Sequence, residues 1–143
     1  MSFRLQTLFL LGVLSTVCFS SGTPSVELQK FQGKWHFQDH SGHTDGIAIL
    51  MEIDQENVKL LVTFGNSSTS QTGRIQLLPG SPNGIDFSGL GEKVVSHGIY
   101  AFNSTGDELR ICSNDHGRNR VRPVSFLACE PGGGATLSVW TRD

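Results

Sequence analysis

The sequence predicts an all-β fold, an antiparallel up-and-down β-barrel of eight to nine short strands behind a short N-terminal helical turn. Three observations predict it. GIAILMEID (46–54) and NVKLLVTF (57–64) alternate with period two, placing Ile47, Ile49, Met51 and Ile53 on one face of the first and Val58, Leu60, Val62 and Phe64 on one face of the second. Turn-forming residues recur at short intervals after Gly33. Helical periodicity is nearly absent, and short connections between consecutive strands favour an antiparallel meander whose closure removes aggregation-prone edges.

From the N-terminus, MSFRLQTLFLLGVLSTVCFSSG carries a cation at Arg4, an apolar run from Leu8 to Val17 and small residues at Ser20, Ser21 and Gly22. This is the layout of a secretory signal peptide over residues 1–20, with cleavage between 20 and 23, and its apolar run is too short to span a bilayer. The remainder, 23–143, has the length of one domain, about 120 residues. No second apolar stretch reaches transmembrane length, so a secreted, extracellular product is expected.

Within that domain, SVELQKFQGKW supplies Val26, Leu28 and Phe31 to one short helical turn before Gly33. Strands are expected at 34–38, 46–54, 57–64, 71–78, 84–87, 96–102, 107–113, 123–129 and 136–141. In a meander of nine strands the connections 39–45, 65–70, 88–95 and 114–122 share one end. The shorter ones, 55–56, 79–83, 103–106 and 130–135, share the other. Long loops on a rigid scaffold commonly carry function. The long-loop end would gather His40, His43, His97 and His116 with Arg118 and Arg120, an arrangement that depends on the short GIDF segment being a strand.

Composition excludes some partners. The chain has 11 Lys and Arg against 13 Asp and Glu; without Arg4 the formal charge is −3, which argues against a general nucleic-acid binder. Cys112 and Cys129 remain after cleavage, in a compartment where disulfides persist. They read as a structural staple, with intermolecular pairing or free thiols as the alternatives. Asn66-Ser67-Ser68 and Asn103-Ser104-Thr105 are glycosylation sequons, meaningful in a host that glycosylates secreted proteins.

LQKFQGKW resembles the Gly-x-Trp start of the lipocalin and fatty-acid-binding (calycin) barrels. Gly98-Ile99-Tyr100, Asp107 to Cys112, Arg122-Pro123 to Phe126, Gly132 to Gly134 and Leu137 to Arg142 then follow in order. The set resembles a small, secreted, uncharacterised lipocalin-like domain family, over most of the domain but weakly between Met51 and Val94. The resemblance implies a lipocalin-like barrel, with Trp35 packed at its closed end and Arg142 a candidate to stack on the Trp face. It carries no activity, cofactor or ligand residue. Ser113 to Val121 departs from the family's usual Pro/Gly-rich turn, and Cys129 lies outside its pattern.

For chemistry, His36, His40 and His43 stand at i, i+4, i+7, which would align on a helix, but a strand context leaves only His36 and His40 on one side. A metal site needs three or more converging ligands; His40, His43 and His116 with Asp115 are the candidates, against solvated loop histidines. There is no Gly-x-Ser-x-Gly elbow, His-Glu-x-x-His or phosphate-binding glycine loop, so no catalytic residue, cofactor or enzyme is expected. Arg110, Arg118, Arg120 and Arg122 form the one basic concentration, which could pair bidentately with sulfated glycans, anionic lipid headgroups or mineral-associated acids; the favoured reading is a solvated hairpin balanced by Asp107, Glu108 and Asp115.

The expected function is therefore a secreted, non-enzymatic binding barrel. It would hold a small apolar or amphipathic molecule among Ile47, Ile49, Met51, Val58, Leu60, Val62, Phe64 and Phe126. The alternative is an extracellular matrix or other structural protein acting through its outer surface, glycans and loops.

Overall fold

The computed structural model describes residues 25–39, 46–91, 95–114 and 121–142. The signal-peptide segment lies outside the described residues, as do His40, His43, Asp115, His116, Arg118 and Arg120. A four-residue helix, α1 (Val26–Gln29), precedes eight strands: β1 (Gly33–Gln38), β2 (Ile47–Asp54), β3 (Asn57–Phe64), β4 (Ser67–Leu78), β5 (Gly84–Ser88), β6 (Ser96–Phe102), β7 (Glu108–Asn114) and β8 (Thr136–Arg142). A 3-10 turn, η1 (Phe126–Cys129), interrupts the last connection. Each strand pairs antiparallel with its neighbours in sequence, and β1 pairs with β8, so the sheet is a closed up-and-down barrel. Among the described residues no helix is long and apolar enough to cross a membrane.

Two element assignments differ from the sequence expectation. The ninth strand expected at 123–129 is instead an irregular strap containing η1. Pro123 has no N–H to give a ladder, and the segment bonds to itself, Ala128 N–H to Ser125 O and Ala135 N–H to Ala128 O. The Cys112–Cys129 disulfide, with Cα atoms 5.8 Å apart, ties the strap to the outside of β7. β8 already pairs with both β7 and β1, which leaves the sheet no vacancy. The other difference is β4, expected from 71 but beginning at Ser67. Gly65 at φ 57° followed by Asn66 makes a two-residue hairpin turn, and the register with β3 then runs unbroken from Phe64↔Ser67 to Asn57↔Arg74.

With eight strands the connections 39–46, 65–66, 89–95 and 115–135 share one end, and 55–56, 79–83 and 103–107 share the other. The GIDF segment is indeed a strand, β5, so His97 at the start of β6 lies toward the long-connection end. The core runs along the inward-facing positions: Trp35, Met51, Ile53, Val58, Ile75, Ile85, Tyr100, Leu109, Ile111 and Trp140 are buried in one cluster. α1 caps the short-turn end. Ser25 Oγ accepts from Leu28 N–H at 3.2 Å and starts the helix, whose buried Leu28, followed by Phe31, enters the same cluster.

The strap covers outward-facing residues of β6 to β8 that would otherwise meet water. Ile99 and Cys112, neighbours on that outer face, are fully buried, and Val139 nearly so. The disulfide closes a sequence separation of 17, which on the loop-entropy model contributes about 3 kcal/mol. The paired substitution Cys112→Ala with Cys129→Ala should lower the urea midpoint by an amount equivalent to about 2–4 kcal/mol. Far-ultraviolet circular dichroism should stay that of the barrel, because no strand ladder runs through Cys129.

Candidate functional site

The barrel interior divides into a filled half and a half-open one. At the α1 end Trp35 is fully buried and donates from Nε1 to Phe31 O at 2.8 Å. The Arg142 guanidinium lies 4.2 Å from the centre of the Trp35 ring and donates to Lys30 O, tying the last strand to the turn before the first. Phe31 meets Tyr100 and Phe102 edge-on, with centroids 4.8 and 4.9 Å apart. These rings fill the inner face at that end, as in eight-stranded barrels whose interior is packed by side chains.

Electrostatics hold the cap down. Tyr100 donates to Glu27 Oε1 at 3.0 Å, and Lys30 bonds the other carboxylate oxygen at 2.7 Å. The Lys30 hydrogen bond holds the Glu27 carboxyl below its usual value, helped by Tyr100 and opposed by burial. Burial, then the facing carboxylate, pushes the Tyr100 hydroxyl well up, so it stays a donor.

Toward the other end the inward-facing positions lose cover step by step. Met51 and Val58 belong to the filled half; Ile49, Leu60 and Val62 are half-buried; Ile47 and Phe64, directly paired across β2 and β3, are 38% and 63% exposed. Phe37, on the strand beside β2, meets Trp140 at 5.3 Å, and Phe87 and Leu90 pack against the same core. Two hydroxyls share this interior face. Ser138 accepts from Trp140 Nε1 at 3.0 Å, and Ser113 is buried beside it on the neighbouring strand. By the register with β3, Ser67, Thr69 and Gln71 of β4 face inward opposite Phe64, Val62 and Leu60, so the inner face of the cup toward this end is apolar on β2 and β3 and polar on β4 and along the β7–β8 wall.

Phe126 departs from the interior expectation. It lies on η1, off the barrel core, with the outward-facing Arg110 guanidinium 5.7 Å from its ring, because the segment that carries it is a strap and not a strand. His97 is turned to the outer face. Its Nδ1 lies 2.9 Å from Asp86 Oδ1, which also accepts from Arg122 at 2.7 Å, while Arg122 donates to Gly98 O at 3.0 Å. This triad fastens the strap across β5 and β6. The remaining loop-end candidates, His40, His43, His116, Arg118 and Arg120, lie outside the described residues. Among the described residues no three His, Cys, Asp or Glu groups converge to hold a metal ion.

The two sequon asparagines sit in different surroundings. Asn66 occupies the exposed β3–β4 turn. Asn103 is built into the β6–β7 turn: its Oδ1 accepts from the N–H groups of Gly106, Asp107 and Glu108, and its Nδ2 donates to Asp107 at 2.6 Å. Hydrogen bonds from Thr105 and then Asn103 hold the Asp107 carboxyl below its usual value. The residues that sequence reading missed are Phe37, Phe87 and Ser138. The first shares parity with Trp35 and was open to discovery; Ser138 becomes interior only through the register Ile111↔Ser138.

Two outcomes follow for the closed end. Arg142→Ala should lower stability by about 1–2 kcal/mol through loss of the cation–aromatic contact and shift Trp fluorescence, read during urea unfolding. Tyr100→Phe should cost about 1 kcal/mol at neutral pH. Because the folded Glu27 value is depressed, its contribution is present above its ordinary value of 4.5 and is lost as pH falls through the lower folded value. Tyr100→Phe should therefore soften the acid limb of the stability profile, measured by urea midpoints across that range. In comparisons with known proteins, the chain matches no protein-family model, and no curated protein or solved structure is significantly similar to it.

Proposed function

We propose that this protein is a secreted, non-enzymatic binding protein of lipocalin-like type that carries a small apolar or amphipathic molecule in the half-open end of its barrel. The observation that carries the reading is the gradient of burial along the inward-facing positions, from a filled aromatic floor at Trp35 and Phe31 to partly exposed apolar side chains at Ile49, Leu60 and Val62. Apolar surface facing inward yet open to water is what a ligand would cover. At about 25 cal/mol per Å2, covering even 150 Å2 would contribute roughly 4 kcal/mol before association costs. The hydroxyls of Ser113 and Ser138 would receive a polar end group.

The second reading, an extracellular matrix or interaction protein, has its own support on the outer surface. Val121, Val124 and Leu127 project from the strap with exposures of 68, 82 and 68%, an apolar ridge on the opposite side of the sheet from the cup. Recovery of the native protein in an insoluble matrix would favour this reading over carriage.

The decisive measurement is binding by purified, delipidated protein to fatty acids, retinoids and similar fluorescent probes. Saturable binding is expected, with Leu60→Gln and Val62→Gln each weakening it about tenfold, while Val124→Ser on the strap leaves it unchanged. Neither fluorescence change nor thermal stabilisation with any probe would sink the carrier reading.

A further inference from the structure

β4 is longer than the barrel requires. Ser67 to Gly73 pair with β3 on one side, but the register with β5 begins only at Arg74↔Ser88. Over those residues the other side of β4 therefore faces no strand among the described residues. The connection after β5 runs past the inner part of this edge: a Cβ on Gly89 would lie 3.6 Å from Thr72 O, and one on Gly91 3.4 Å from the Gln71 amide. Ser67 to Ser70, beyond that contact, are exposed on both faces.

A two-residue hairpin fixes which backbone groups this edge offers. Its closing pair, Phe64 and Ser67, exchanges N–H···O bonds with itself, so the alternate residues Ser68 and Ser70 aim N–H and C=O away from β3. Natural edges are usually blunted by lysine, proline, a bulge or cover. From Gly65 to Gly73 the sequence reads GNSSTSQTG, without a charge or a proline.

We propose that this edge binds the same edge of a second copy of the chain, antiparallel about a two-fold axis through Thr69, so that one sheet continues across two barrels. The edge is complementary to itself. With Thr69 opposite Thr69 of the second copy, Ser68 meets Ser70 of the second copy and the reverse, and the outward N–H and C=O groups of both residues are satisfied together. An uncharged strip meets its own copy without like-charge repulsion, and facing Ser and Thr side chains add cross-strand hydroxyl contacts. Backbone pairing of this kind is a recurrent mode of recognition at open sheet edges.

Sedimentation of the full chain from micromolar to millimolar concentration reads the association, for the intact protein and for Asn66→Gln, which cannot carry carbohydrate at the turn. A rise to the mass of a dimer in either form is expected; a monomer throughout in both overturns the proposal. Ser70→Lys should abolish dimerisation while the urea midpoint is kept, and a dimer that survives this substitution refutes the assigned edge. Directly opposed residues in a non-hydrogen-bonded pair hold their Cβ atoms about 4.5–5.5 Å apart. Thr69→Cys should accordingly form a disulfide-linked dimer at least about tenfold faster than Val124→Cys, an exposed position outside the edge. Equal rates would mean random collision and also overturn it.

Discussion

Four residue pairs between β1 and β8, from Trp35↔Arg142 to Gln38↔Val139, decide whether this chain is a barrel or an open sheet. Everything at the closed end is built on that seam. Arg142 reaches the Trp35 face only because the last strand lies beside the first, and from there it reaches the Lys30 carbonyl under α1. The helix is a single turn, too short to persist alone. It is held by Phe31 among the rings of Tyr100 and Phe102 and by Glu27 between Lys30 and Tyr100. The floor of the cup is thus made from residues far apart in the chain that meet only once the seam has formed.

Much of the barrel was legible because period-two alternation is a direct image of a half-buried strand. β2 and β3 write it plainly, and their inward faces are those the alternation assigns. The early part of β4 was illegible for the same physical reason: Ser67 to Thr72 are exposed on both faces, so nothing there demands apolar residues. Their strand state comes from the hairpin register alone. The strap misled in the opposite direction. Val121, Val124, Phe126 and Leu127 have strand-like composition, yet Pro123 and the tether at Cys129 hold them outside the sheet.

The candidate site was legible in outline and not in depth. Parity places Ile49, Met51, Val58, Leu60 and Val62 on the inner face, but no local pattern says that Met51 and Val58 lie against a filled floor while Leu60 and Val62 face the mouth. That distinction comes from how far Phe31 and Trp35 intrude along the axis. The hydroxyl patch was likewise hidden, since Ser138 in a strand reads as a solvent-facing residue until Trp140 Nε1 is seen to donate to it. The outward Asp86, His97 and Arg122 group was hidden for a further reason: its three members come from three separate segments.

The seam has a kinetic meaning as well. Most of the ladder joins neighbours in sequence, so the hairpins from β2 to β7 can form locally and early. The β1–β8 pairing instead joins strands separated by nearly the whole domain, and the chain entropy of that closure is lost before its contacts form. Until β8 has paired with β1 the sheet is unclosed and Trp35 lacks its Arg142 cover. That unclosed interval, more than the finished barrel, exposes the apolar inner face to aggregation.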